Sequence, residues 1–423
     1  MKKTLSAIAF LSAVILMTIG CSNSTENNEN FADDLQKQLI QAEEGAVIEI
    51  PAGTFEFTRP LSFQDVPNVT IKGAGKQKTI LSFKGQIEGG EGLIVKAADG
   101  ITLQGFTVQD SKGDAIKVQG CKNVTLRDLE TTWTTGKSEQ NGGYGLYPVT
   151  CTNVLMEDCE ASYAMDAGIY VGQSINVVVR NNLAHNNVAG IEIENTINAE
   201  VYGNTARENS GGLMIFDMPD LPQANGANVV VHDNIVENNN GENFSTPGIA
   251  VSMLPPGTGF LIMAHRNIEI YNNKVTGHNT VSFAVNSWQF TGRAFKSEEF
   301  DPFCHSINVH DNEVVLGTAA SDTTTDFGKL FSSITQGQPT GIAIDGIFNP
   351  AHLDSKGALK PEHAISFRNN GEIPFMNLNA AKAMGENGLD VAKLAKVISM
   401  DASVFSSEME AMKLEGHDTW LTK

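Results

Sequence analysis

Apolar and polar positions repeat along this chain with a period of about 22 residues. An Asn followed by an apolar residue recurs at Asn68, Asn123, Asn153, Asn176, Asn198, Asn228 and Asn267, with Gly100 in the one vacant slot. The short intervals are 22 or 23 residues; the longer ones, 30 to 39, are the same unit carrying an insertion. Each start opens an alternating stretch, such as VVVRN from Val177, VVVHD from Val229 and IEIYN from Ile268. Alternation with period two predicts a strand with one buried face. Six residues after each start a second column aligns: Phe106, Leu129, Cys159, Asn182, Asn204, Asn234 and Asn273, continued by Asn312. Asn suits a ladder of stacked turns, because it tolerates left-handed backbone and its amide bonds to neighbours above and below.

A second strand follows in each unit: DAIKV from Asp114, AGIYV from Ala167, AGIEI from Ala189, GGLMI from Gly211, PGIAV from Pro247 and TGIAI from Thr340. These signals predict an all-β chain, a right-handed parallel β-helix of about ten three-strand coils over residues 33–348. At about 4.8 Å per coil that is a rod on the order of 50 Å long. Open coil ends need covers. Asp33–Glu44 has helical apolar spacing and predicts an N-terminal capping helix. Residues 349–423 form the C-terminal cap, with short helices expected over 379–414.

Composition sharpens this picture. Charged residues are 18%, Gly is abundant at 40, and the formal net charge is −20. Such a surface disfavours nucleic acid and anionic lipid, and it disfavours bare polyuronates unless a basic groove or bridging cation intervenes. Lys2 and Lys3 precede an apolar stretch, Leu5 to Gly20, too short for a comfortable membrane span. Thr18-Ile19-Gly20-Cys21 resembles a lipobox, which makes residues 1–20 a signal peptide, Cys21 the lipidated N-terminus and residues 21–32 a disordered tether. By resemblance to enterobacterial sorting rules, Ser22 implies an outer-membrane anchor and a cell-envelope location. The remaining cysteines, Cys121, Cys151, Cys159 and Cys304, make no disulfide framework and show no metal-ligand spacing. Cys121 and Cys151 share a slot in consecutive coils and are expected to stay reduced.

The coils GIYV, GIEIENT and GLMIFD resemble the repeats of pectate-lyase-like carbohydrate-binding and sugar-hydrolase β-helix proteins. With its lipoprotein signal, the chain resembles a family of exported bacterial parallel β-helix repeat proteins. The resemblance implies a polysaccharide or oligosaccharide ligand and a second exported protein as partner. Tyr163-Ala164-Met165-Asp166 is similar to the opening of the mannuronan epimerase motif; Ala167-Gly168 stands where that motif continues with Pro-His.

Candidate chemistry falls on the second strand. Its outward row runs Lys117, Tyr147, Tyr170, Glu192, Met214, Ala250, Ala284 and Ala343. Two residues on, a parallel row runs Gly172, Glu194, Phe216, Ser252, Asn286 and Asp345. Insertions at 132–143, 239–246, 217–227, 252–266 and 287–305 flank these rows and suit the walls of an open groove. Lys117, Tyr147, Tyr170, Glu194, Met214 and Phe216 are the expected substrate contacts. Proton abstraction beside a sugar carboxylate needs a base, an acid and a neutralising cation, for which His185, Tyr163, Asp166 and Arg207 are candidates. Hydrolysis needs paired acids, and Glu192 and Glu194 share a face about 7 Å apart. No cofactor or metal is required, with calcium on Asp166, Glu192 and Glu194 the one option. These residues predict a surface or periplasmic protein acting on polysaccharide as lyase, epimerase or hydrolase. The alternatives are a non-catalytic glycan-binding lipoprotein and a scaffold for another exported protein.

Overall fold

A computed structural model describes residues 26–385, 388–414 and 416–421. The expected signal peptide, Cys21 and the first residues of the expected tether lie outside the described residues. The described chain winds into a parallel β-helix. One 11-stranded parallel sheet and one 19-stranded sheet run the length of the stack. A typical coil contributes a long strand (Ile175–Arg180) and a short one (Leu183–His185) to the larger sheet. It then adds one strand (Ala189–Glu194) to the smaller sheet, called here the second sheet. Each pairs in register with its equivalent one coil on, as in Val177 with Ala199 and Ile191 with Leu213. Register follows from the alternation, since a one-residue slip would turn Val177, Val179, Ile191 and Ile193 out of the core, where all are fully buried.

Three Asn columns fix the corners. At the strand starts Asn153, Asn176 and Asn198 have φ of 57°, 58° and 66°. The amide of each donates to the Asn one coil toward the N-terminus, at 2.9, 3.0 and 2.7 Å. At the next turn the direction reverses. Asn182, Asn204, Asn234, Asn273 and Asn312 each donate to the Asn one coil toward the C-terminus, at 2.9–3.0 Å. A third column, Asn187, Asn209 and Asn239, also points that way and ends on His278. It carries the same spacing as the second column, five residues later, and completes the pattern found by sequence reasoning.

Helix α1 (Glu26–Ile40) caps the first coil, burying Leu35 and Leu39. Gln36 exchanges two hydrogen bonds of 2.9 Å with the backbone of Ser62, so a side-chain amide stands in for a missing strand. The helix begins inside the stretch expected to be a tether, which corrects that boundary. The β-helix also runs past residue 348. Ile365–Arg368 pairs with His305–His310, and Phe375–Asn377 pairs with the strand at Thr340–Ile344. The expected tail helices shrink to single turns such as Val391–Leu394. The tail instead closes the last coil with Phe405 on Phe375 and runs back along the larger sheet. There the Ser366 hydroxyl donates to Ser407 O and Met412 N donates to Glu269.

PGIAV from Pro247 is not a rung. It forms a 3-10 turn at Ala250–Met253, and the rung is Thr258–Met263, inside the stretch read as an insertion. The turn imitates the rung's Gly-apolar pattern, but Gly248 has φ 97° and the segment folds over the sheet instead of joining it.

Candidate active site on the second sheet

In-register pairing puts Tyr170, Glu192, Met214, Leu261, Ala284 and Ala343 in one outward row on the second sheet. Lys117 and Tyr147 precede them. Beside it runs Glu194, Phe216, Met263 and Asn286. Leu261 and Met263 therefore occupy the places given above to Ala250 and Ser252.

These side chains do not line an open groove. Tyr170 is 3% exposed, Glu192 4%, Glu194 9% and Met214 1%. Three elements cover them. The 239–257 insertion lays Val251 and Leu254 on Met214 and Phe216. The 287–303 insertion brings Trp288 and Phe290, and helix α2 (Asp326–Thr335) adds Phe327 and Phe331. Between cover and sheet lies a cavity of about 330 Å³, with Tyr144, Asp166, Glu192 and Glu194 at one end and Met, Leu, Phe and Trp side chains around the rest. No Lys or Arg is among its lining residues.

Burial decides the protonation of the three acids, because leaving water penalises the charged form. Asp166 is pushed up to about 7 by burial, against a contact with the Tyr144 hydroxyl that favours its ionised form. Glu194 is also pushed up to about 7, again mainly by burial, with the Tyr170 hydroxyl pulling the other way. Glu192 goes well above the usual carboxylate range, through burial and the charges of Asp166 and Glu194. The three acids thus split into a held proton at Glu192 and two groups near neutrality. Tyr144, Tyr147 and Tyr170 pack together at 4.6–4.8 Å between ring centroids. Lys117 lies 4.7 Å over the Tyr147 ring and pairs with Asp114 at 3.4 Å, so its charge is spent outside the cavity.

The remaining candidates sit elsewhere. His185 and Arg207 are register neighbours on the short strand of the larger sheet. His185 Nε2 lies 3.2 Å from Glu160, which also meets Lys76 at 3.8 Å. Tyr163 packs edge-on against His185 with centroids 6.4 Å apart. The expected base, cation and tyrosine form a surface cluster, separate from Asp166 and Glu192. The calcium expectation is also corrected: Asp166, Glu192 and Glu194 do not bring three oxygens within 4.8 Å of one another. A chelate needs such convergence, and burial here favours neutral acids. Sequence reasoning missed Tyr144, whose Gly143-Tyr144-Gly145 setting hid a rung start, and Trp288, whose insertion had no assigned fold.

The fold now has an independent match. Residues 137–292 match the family described as right handed beta helix region. The stack is therefore a right-handed parallel β-helix. No curated protein matches the chain. Among solved structures, the A-module of a mannuronan C-5 epimerase from Azotobacter vinelandii is similar at 13% identity and a TM-score of 0.48, over 83% of this chain and 91% of that one. An alginate lyase from Paenibacillus sp. is similar at 14% identity and a TM-score of 0.44, over 68% and 96%. An exopolygalacturonase from Thermotoga maritima is similar at 13% identity and a TM-score of 0.43, over 76% and 88%.

Proposed function

We propose that the protein is a carbohydrate-active β-helix protein that takes the end of a neutral sugar chain into the covered cavity and hydrolyses a glycosidic bond there. One observation carries the reading: Glu192, 4% exposed and held well above the usual carboxylate range, lines the cavity beside two acids held near neutrality. Glycoside hydrolysis needs one protonated and one ionised carboxyl across the bond. In this reading Glu192 protonates the departing oxygen, and Glu194 or Asp166, in its ionised form, activates water. Strand geometry sets the Cα atoms of Glu192 and Glu194 about 7 Å apart on one face of the sheet. The ring faces of Tyr144 and Trp288 supply stacking for sugar C–H faces.

Two features favour hydrolysis over proton abstraction from a uronic acid. The lining has no cation to neutralise a sugar carboxylate, and the candidate base and cation, His185 and Arg207, lie on the larger sheet. The cover favours a chain end over the middle of a polymer. In this reading the activity sits at the cell envelope on a lipid anchor at Cys21, which the lipobox-like Thr18-Ile19-Gly20-Cys21 supports, with a second exported protein as partner.

The test is a screen of the purified chain on neutral oligosaccharides, reading new reducing ends and their anomeric configuration. Release of terminal sugar, abolished by Glu192→Gln, supports hydrolysis. Saturable oligosaccharide binding without turnover would convert the reading to a glycan-binding protein. Unsaturated products would instead mark a lyase.

A further inference from the structure

Away from the cavity, three imidazoles meet. His305 opens the strand His305–His310 of the larger sheet. His352 and His363 end two short 3-10 turns, Pro350–His352 and Pro361–His363, at the two ends of one loop. That loop is closed on itself by Lys360 N donating to His352 O at 2.9 Å and Asp354 N donating to Ala358 O at 2.8 Å. Its histidines therefore face each other, with ring centroids 3.6 Å apart and planes 18° from parallel. His305 stands edge-on to both, at 4.6 and 5.1 Å. One ring nitrogen from each of the three lies within 4.8 Å of the others.

Packing alone leaves this arrangement poorly satisfied. Nδ1 of His352 and Nδ1 of His363 are buried and have no hydrogen-bond partner. Orphaned nitrogens of this kind cost stability unless something accepts or ligates them. Asp301 lies 3.4 Å from His305 Nε2, placing a carboxylate beside the set. The nearby Lys360 ammonium is engaged with Ala351 O at 2.8 Å. Burial, and the positive charge neighbouring imidazoles would carry, hold His352 and His363 below the usual imidazole value.

We propose that His305, His352 and His363 bind one divalent transition-metal ion of the zinc class, with Asp301 completing or orienting the set. Three imidazoles suit zinc, copper or nickel, whereas calcium and magnesium demand oxygen ligands. The ion staples the 350–363 loop to the wall of the β-helix. The segment that leads into His305 holds the cavity cover, since Trp288 N donates to Pro302 O at 2.8 Å. Metal loading therefore also steadies the insertion that carries Trp288. Spacing concealed the set, because the three residues are scattered over separate segments with no His-x-His or His-x-x-x-His among them.

The experiment uses the purified chain stripped with chelator and dialysed. Zn²⁺ and, separately, Ca²⁺ are titrated in by calorimetry, and thermal unfolding is followed with and without each. The expected result is one Zn²⁺ per chain with a raised midpoint, and no response to Ca²⁺. His363→Ala should weaken Zn²⁺ by at least about tenfold, the scale seen even for lost supporting contacts. His352→Ala with His363→Ala should abolish it. Should the double variant fail to fold, His305→Gln serves in its place, with Co²⁺ absorption reporting nitrogen ligation. Absence of Zn²⁺ binding, or binding by the variants equal to that of the unaltered chain, overturns the proposal.

Discussion

Glu192 is where structure and function pull in opposite directions. Burial and the charges of Asp166 and Glu194 raise its carboxyl well above the usual range, so the folded chain holds it protonated while the unfolded chain ionises it at neutral pH. Glu192→Gln keeps the shape and removes that burden. It should raise stability at pH 8 by at least about 1 kcal/mol, since each unit of raised pKa costs about 1.4 kcal/mol once the pH exceeds it, while abolishing turnover. Denaturant unfolding and the oligosaccharide assay, run on the same preparation, check both halves; a destabilised variant would show that Glu192 is a structural fixture. Asn204 is the opposite case. Its side chain accepts from Asn182 N at 3.0 Å and donates to Val179 O at 2.8 Å and Asn234 at 3.0 Å. Asn204→Ala should cost about 1–3 kcal/mol in urea unfolding, because it orphans buried groups in two neighbouring coils. This contrast also explains what could be read from sequence. The columns declare themselves, since Asn repeats at the coil period: at the strand starts a left-handed corner favours it, and at the other two turns its amide bridges neighbouring coils. The burial of Tyr170 and Glu192 could not be read, because the residues that cover them come from insertions outside the period.

Among elements, the insertions and the tail do what the repeats cannot. The 239–257 and 287–303 insertions turn a two-row strand surface into a partly covered cavity, and α2 adds Phe327 and Phe331 at its far end. Phe331→Ala should open that end and reduce stability by about 2–4 kcal/mol, the cost of an emptied aromatic site in a packed cluster. Thermal unfolding together with the uptake of longer oligosaccharides checks it. PGIAV shows why such elements mislead: its apolar spacing fits a rung, and only the competing strand at Thr258–Met263 shows that it is surplus. The C-terminal tail has no period to read at all. It is held by Phe405 against Phe375, by Ser407 O on Ser366 and by Met412 N on Glu269. Ending the chain after Met400 should therefore lower the midpoint of unfolding by several degrees and leave the cavity chemistry intact. A shortened chain of unchanged midpoint would show that the last coils need no cover.

For the whole molecule, pH is the widest-reaching variable. Asp166 and Glu194 near 7, Asp217 near 8, Asp345 near 6 and Glu192 all hold protons in the folded chain that the unfolded chain releases near pH 4. The stability they contribute is fully present below about pH 4 and is lost as pH rises through 6 to 8. His265 and His278, both near 3, work the other way, costing stability as pH falls below about 6.5. His352 and His363, held below the usual imidazole value, add to that cost. The five acids outnumber the four imidazoles, so the unfolding midpoint should rise between pH 8 and pH 5; a midpoint that falls over that range would contradict the buried-acid account. The Asn columns carry a different consequence. In one column every amide hands its hydrogen toward the N-terminus, and in the two others toward the C-terminus, so each coil both gives and receives at every corner. A coil removed or duplicated whole leaves no giver without a receiver. Nothing inside the stack counts its coils, and the length of the rod is set only by the helix that stops it at one end and the tail that folds back over the other.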